Sequence, residues 1–243
     1  MMNIHITRHG QVLPSGPESW SHADYPPGDM PLSDLGRRQA HLLGLRLADD
    51  GFRGLIYSSP YLRTIETACG VANAIDAVVV PAPAMREIVK RDGQMDGFTG
   101  LTANGLRKLH PRVQPPDDFP DGPHSHWWTV AAETDDEVEA RVAPFVDALI
   151  QRDAAGGAPD CLLVGHGAST GGVIHHLLRR CAPDQIGPPE PGWNAALTSF
   201  RCDGSTGRVD LLRRMDTEHL PEEAITSNAQ TRAEVLAARQ AQQ

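Results

Sequence analysis

Short apolar runs of four to six residues alternate along this chain with longer stretches whose apolar positions recur every three or four residues. The runs "NIHIT" (3–7), "GLIYSS" (54–59), "AVVVPA" (77–82) and "CLLVGH" (161–166) are bounded by Gly, Pro or Ser and predict strands. Four helices are predicted between and after them. Residues 33–49 start at an N-cap, Ser33, and carry Leu43 and Leu47 on one face. Residues 62–75 carry Ile65, Ala68, Ala72 and Ile75 at helical spacing. Residues 135–152 follow a capping box, Thr134 to Glu137, and place Val138, Val142, Phe145 and Leu149 on one stripe. Residues 169–180 carry Val173 and Leu177. A hairpin follows, "ALTSFRCD" and "RVDLLRRM" about the turn "GSTG".

Strands alternating with helices predict an α/β fold, a three-layer α/β/α sandwich with a mostly parallel sheet. No repeat or clean linker divides the 243 residues, so a single domain over 1–243 is expected. Residues 88–133, rich in Pro, Gly and Asp, break the alternation and read as an inserted cap or lid. Residues 220–243 read as a polar tail, with a short helix from Thr231.

Composition narrows the partners. The formal net charge is −9, and Lys90 and Lys108 are the only lysines among 22 basic residues, which argues against nucleic acid or an anionic membrane. No apolar run is long enough to span a bilayer, and the first residues lack the pattern of a secretory signal. Cys69, Cys161, Cys181 and Cys202 form no CxxC and read as reduced thiols of a cytoplasmic protein. His124 and His126 in "HSHWW" have no third ligand at a useful spacing, so no metal and no cofactor is expected. A homodimer is compatible with the sequence.

The candidate chemistry lies just past the predicted strands, where open parallel sheets bind ligands. Arg8, His9 and Gly10 follow the first strand; Arg63 opens the helix after the second; Glu87 follows the third; His166 and Gly167 follow the fourth. Two guanidiniums suit phosphate oxygens, and glycines let backbone N–H groups approach an anion. A neutral imidazole can attack phosphorus, and neighbouring arginines disfavour its protonation. A carboxylic acid at such a site can protonate a leaving alcohol.

These segments, in this order, resemble the histidine phosphatase superfamily, the phosphoglycerate mutase-like proteins. "TRHGQ", "PLSDLGRRQA", "IYSSPYLRTIETA", "REI" and "LLVGHGAST" carry the resemblance, over roughly residues 3–215. It implies a phosphorylated nucleophile at His9 and phosphate ligands at Arg8, Arg63 and His166, to which Gly10 and Gly167 are expected to add backbone N–H groups. It also implies a proton donor at Glu87 and metal-independent hydrolysis of small-molecule phosphate monoesters. The run after the acid, "EIVKRDGQMDG", and Ser15 where mutases carry Asn, favour hydrolysis over phosphoglycerate mutase-type transfer. A non-catalytic phospho-ligand module is the remaining alternative. Gln11, Ser15, Lys90, Arg91, Phe98 and Asn194 are candidates for the substrate pocket, with Arg112 as a further cation. Trp127 and Trp128 read as anchors of the insert.

Overall fold

The computed structural model describes residues 1–13, 28–122, 124–187 and 192–227. Ser15 and the helix expected from Thr231 lie outside them.

The main sheet contains β1 (Met2–Arg8), β2 (Leu55–Ser58), β3 (Val79–Pro81), β6 (Cys161–Gly165), β7 (Leu197–Cys202) and β8 (Val209–Asp216). Its strand order is β3-β2-β6-β1-β7-β8. The three pairs from β3 to β1 are parallel, and β7 and β8 extend the sheet as an antiparallel hairpin. Two helices, α1 (Asp34–Asp49) and α2 (Leu62–Ile75), pack on one face; α4 (Asp135–Ala154) and α5 (Gly167–Cys181) pack on the other. The sandwich expected from the alternation is therefore the observed architecture.

Strand pleating sorts the side chains between two cores. Leu162 and Val164 face Leu43, Leu47 and Ile65, whereas Cys161 and Leu163 face Val142, Val146, Val173 and Leu177. The helix signals have physical counterparts. Ser33 accepts from Gly36 N, and Thr134 and Glu137 form the reciprocal capping box. The fourth helix starts two residues earlier than its apolar stripe indicates, because His166 itself occupies the N-cap position.

The 88–133 segment differs from the irregular cap its composition predicts. It contains α3 (Ala103–Leu109) and a small hairpin, β4 (Asp121–Gly122) with β5 (Ser125–His126). Met95, Leu106, Val113, Phe119 and Trp127 are buried in the core shared with α1 and α2. Arg112 O and Gln114 N hydrogen-bond to the backbone of Val79, covering the open edge of β3. Trp127 is 2% exposed and donates Nε1–H to Leu101 O. Trp128 is half-buried and stacks on His126. The polar tail also starts later than 220. Leu220, Ala224 and Thr226 are buried, and Gln39 Nε2 of α1 donates to Ala224 O and Thr226 Oγ1.

Candidate active site

The carboxyl ends of β1, β2 and β6 and the turn after β3 meet at one rim. His9 leaves β1 with its N–H bonded to Gly165 O and its carbonyl accepting from Asn194 Nδ2 at 2.8 Å. Its ring is buried. Nδ1 lies 2.7 Å from Gly10 O, and a carbonyl only accepts, so Nδ1 carries the proton and Nε2 carries the lone pair. Burial, then Arg63 and Arg8, hold the pKa of His9 well below the usual histidine range. The sequence points to the arginines; desolvation is the larger cause.

The rings of His9 and His166 lie 5.4 Å apart. His166 is fully buried. Its Nε2 is 2.8 Å from Ser59 Oγ, and its Nδ1 has no hydrogen-bond partner. That nitrogen is 3.5 Å from Glu87 Oε2. With the proton on Nδ1, His166 can donate toward that carboxyl group while Ser59 donates to Nε2. The pKa of His166 is also pushed well below the ordinary value, first by burial and then by Arg63.

Arg63 stands in the first turn of α2, between two carboxylates. Asp29 Oδ1 is 3.8 Å from one amino nitrogen and Glu87 Oε2 is 3.8 Å from the other. The guanidinium also lies 4.5 Å from the centre of the Tyr61 ring, a cation–π contact. Asp29 is fully buried, and both its oxygens accept from Leu62 N at 2.8 and 2.9 Å, capping α2. Burial pushes the Asp29 carboxyl up to about 7, against the opposing pull of Arg63. Arg8 ends β1 and donates to Gly192 O at 2.6 Å.

Glu87 accepts from Ile88 N through Oε1, leaving Oε2 toward Arg63 and His166. The turn carrying it is pinned to α4. Arg86 makes a two-pronged contact to Glu133 at 2.6 and 2.8 Å, and Arg141 Nε donates to the same carboxylate at 3.0 Å.

Arg8, His9, Arg63, Glu87 and His166 are thus brought together. Other candidates have different surroundings. The Gly10 N–H donates to Thr67 Oγ1 at 3.0 Å and is not free for an anion. A Cβ on Gly10 would lie 2.6 Å from Gly36 O, so Gly10 serves the close approach of α1. Asn194 is buried with both polar ends engaged, by His9 O and Thr226 Oγ1, and holds the nucleophile's backbone instead of lining a substrate pocket. The Gln11 side-chain oxygen accepts from Ser33 Oγ at the cap of α1. Phe98 packs against Tyr61, Trp127 and Trp128. Arg91 is exposed, and Arg112 pairs with Asp76 at the α2 terminus, away from the rim. Gly167 opens α5 with free space where a side chain would stand. Lys90 lines a cavity that meets the rim at Arg8 and Glu87.

Sequence reasoning missed Ser59, Asp29, Glu133 and Arg141. "SSPYLRT" contains Ser59 in plain view, but only the fold puts it beside His166. Asp29 acts across 33 residues, a separation that leaves no local pattern.

Comparison with known proteins agrees with this geometry. The family model for the histidine phosphatase superfamily, branch 1, matches residues 4–214. A probable phosphoglycerate mutase of Yersinia pestis is 27% identical over 228 residues, covering 87% of this chain and 96% of that protein. The ecdysone phosphate phosphatase of Bombix mori superposes with a TM-score of 0.65 at 21% identity, covering 94% of this chain and 96% of that one. A mycobacterial glucosyl-3-phosphoglycerate phosphatase superposes at 0.59 with 23% identity, covering 91% of this chain and 100% of that one. With its rim of two histidines, two arginines and a glutamate, and a family match spanning the sandwich, the chain belongs to the histidine phosphatase superfamily, branch 1.

Proposed function

We propose that the chain hydrolyses small-molecule phosphate monoesters through a phosphohistidine on His9. The observation that carries this reading is the Nδ1–H bond of His9 to Gly10 O, which leaves a neutral Nε2 as nucleophile beside two arginines. In the first step the Nε2 lone pair forms the N–P bond as the P–O bond to the alcohol breaks. Arg8, Arg63 and the Nδ1–H of His166 take up charge on the equatorial oxygens. Glu87 gives its proton to the departing oxygen. In the second step Glu87 removes a proton from water, whose oxygen attacks phosphorus and returns His9 to its starting form. The cationic side chains do the neutralising here, so activity is expected to survive chelators.

A second reading, phosphoryl transfer between hydroxyls, is favoured by the name of the Yersinia relative. It uses the same phosphohistidine with an alcohol in place of water. Phosphate release from a panel of monoesters, compared with isomerisation of phosphoglycerate, separates the two. His9→Ala must abolish turnover with the fold intact. An active His9→Ala protein overturns both readings. A site that binds phosphate but turns nothing over supports a non-catalytic module.

A further inference from the structure

A cavity of about 440 Å³ opens beside the rim. It touches the candidate site at Arg8, Glu87 and Gly167, then runs along α5 toward β7 and β8. Its apolar wall is formed by Ile6, Ile88, Ile174, Trp193, Ala196 and Met215. The hydroxyls in its lining are already engaged with backbone. Thr7 Oγ1 donates to Arg8 O, Thr170 Oγ1 donates to His166 O, and Thr198 Oγ1 accepts from Met215 N. Exposed Lys90 and Asp135 put charge at its margin, and half-buried His175 and Arg214 also line it, with Arg214 Nη1 donating to Gln185 O.

Two glycines keep this space open. Gly167 and Gly171 lie one turn apart on α5, and a Cβ on either would meet nothing within 4 Å. Gly172 differs, because a Cβ there would press on the Glu139 backbone of α4 at 3.2 Å. Glycine weakens a helix interior, so Gly171 is not explained by packing. Its open flank leaves room in the cavity for a bound molecule.

We propose that this cavity receives the leaving group of the substrate, and that the group is an alcohol with an apolar ring or branched chain. The assignment rests on the phosphomonoesterase reading, since Arg8 and Glu87 join the cavity to the phosphate position. A three-carbon acid would leave most of the volume unfilled. A sugar would bury most of its hydroxyls against a wall that is chiefly Ile, Trp, Ala and Met, and unpaired buried polar groups oppose binding. An apolar body gains from removal of its surface from water.

The test compares methylphosphonate with cyclohexylmethylphosphonate by calorimetry, and the corresponding phosphate esters by turnover. The two leaving alcohols have similar acidity, so only the apolar body differs. Wild type is expected to bind the cyclohexylmethyl compound about tenfold or more tightly than the methyl one. Gly171→Leu fills the cavity and should shrink that preference below about threefold, leaving methylphosphonate affinity unchanged. Ala168→Leu, on the same wall, provides a second, independent blockage. Gly171→Ala should keep most of the preference. No preference in wild type, or one that survives both leucine variants, overturns the proposal. If binding shows the preference but neither ester is hydrolysed, the cavity assignment stands and the hydrolytic reading falls. Equal turnover of both esters with no binding preference does the reverse.

Discussion

Each of the two buried imidazoles has one nitrogen held by a neighbouring group of the protein. Gly10 O fixes His9 with Nε2 free; Ser59 fixes His166 with Nδ1 free. The Gly10 carbonyl can only accept, whereas the Ser59 hydroxyl can also donate, so the same side chain can present a lone pair at one place and a donor at the other. Ser59→Ala removes the anchor of His166 and lets the ring take either tautomer. Turnover should fall by on the order of tenfold, with the His166 imidazole signals in NMR showing a mixed tautomer state. Unchanged signals would make Ser59 a packing residue only. Glu87→Gln keeps the shape and removes the transferable proton. Hydrolysis of alkyl phosphates should drop about 10²–10⁴-fold, and that of activated aryl phosphates far less. Equal losses on both classes would take the acid role from Glu87. The residues visible in sequence were those at or soon after strand ends: Arg8, His9, Arg63, Glu87 and His166. Ser59, Asp29 and Glu133 were hidden because their function depends on partners distant in the chain.

At the scale of elements, the approach of α1 to the end of β1 sets the position of His9. Gly36 on α1 sits so close to Gln11 that a Cβ would be 2.1 Å from Gln11 O, and Gly10 faces Gly36 in return. Gly36→Ala must push the helix from the strand end. It should cost about 1–3 kcal/mol in urea unfolding and slow phosphoryl transfer as His9 moves. A variant of unchanged stability and rate would show that the rim tolerates the shift. The strands and the four long helices were legible because each has its own periodicity and cap, as Ser33 and Thr134 show. The seven-residue α3 and the two-residue strands of the insert were not. Such short elements hold through contacts with the core, with too few residues to show a period.

Across the whole molecule, the insert closes the α1/α2 core and the β3 edge together, with Trp127 as its largest buried side chain. Trp127→Ala should destabilise the protein by about 3–5 kcal/mol and loosen the insert, seen as faster amide exchange over residues 95–128. Exchange unchanged there would mean that the other buried side chains suffice. The two cores also make the fold sensitive to acid. Burial lowers the pKa of His5, which bonds to Ser199, to about 4. The native state resists protonation that the unfolded chain accepts, so His5 contributes fully above about pH 6.5 and its contribution is lost as pH falls toward 4. The loss from this residue is about 3 kcal/mol, and His9 and His166, also depressed, act in the same direction. His5→Gln should flatten the decline in urea midpoint between pH 7 and about 4.5; an unchanged slope would assign the acid sensitivity elsewhere. The central claim, that this fold exists to present His9 Nε2 to phosphorus, is tested most directly by rapid quenching during turnover of radiolabelled phenyl phosphate. The expected result is an acid-labile, base-stable phosphoryl group mapped to His9 and absent from His9→Ala. Turnover that proceeds without such a species, or with the label on another residue, would contradict it.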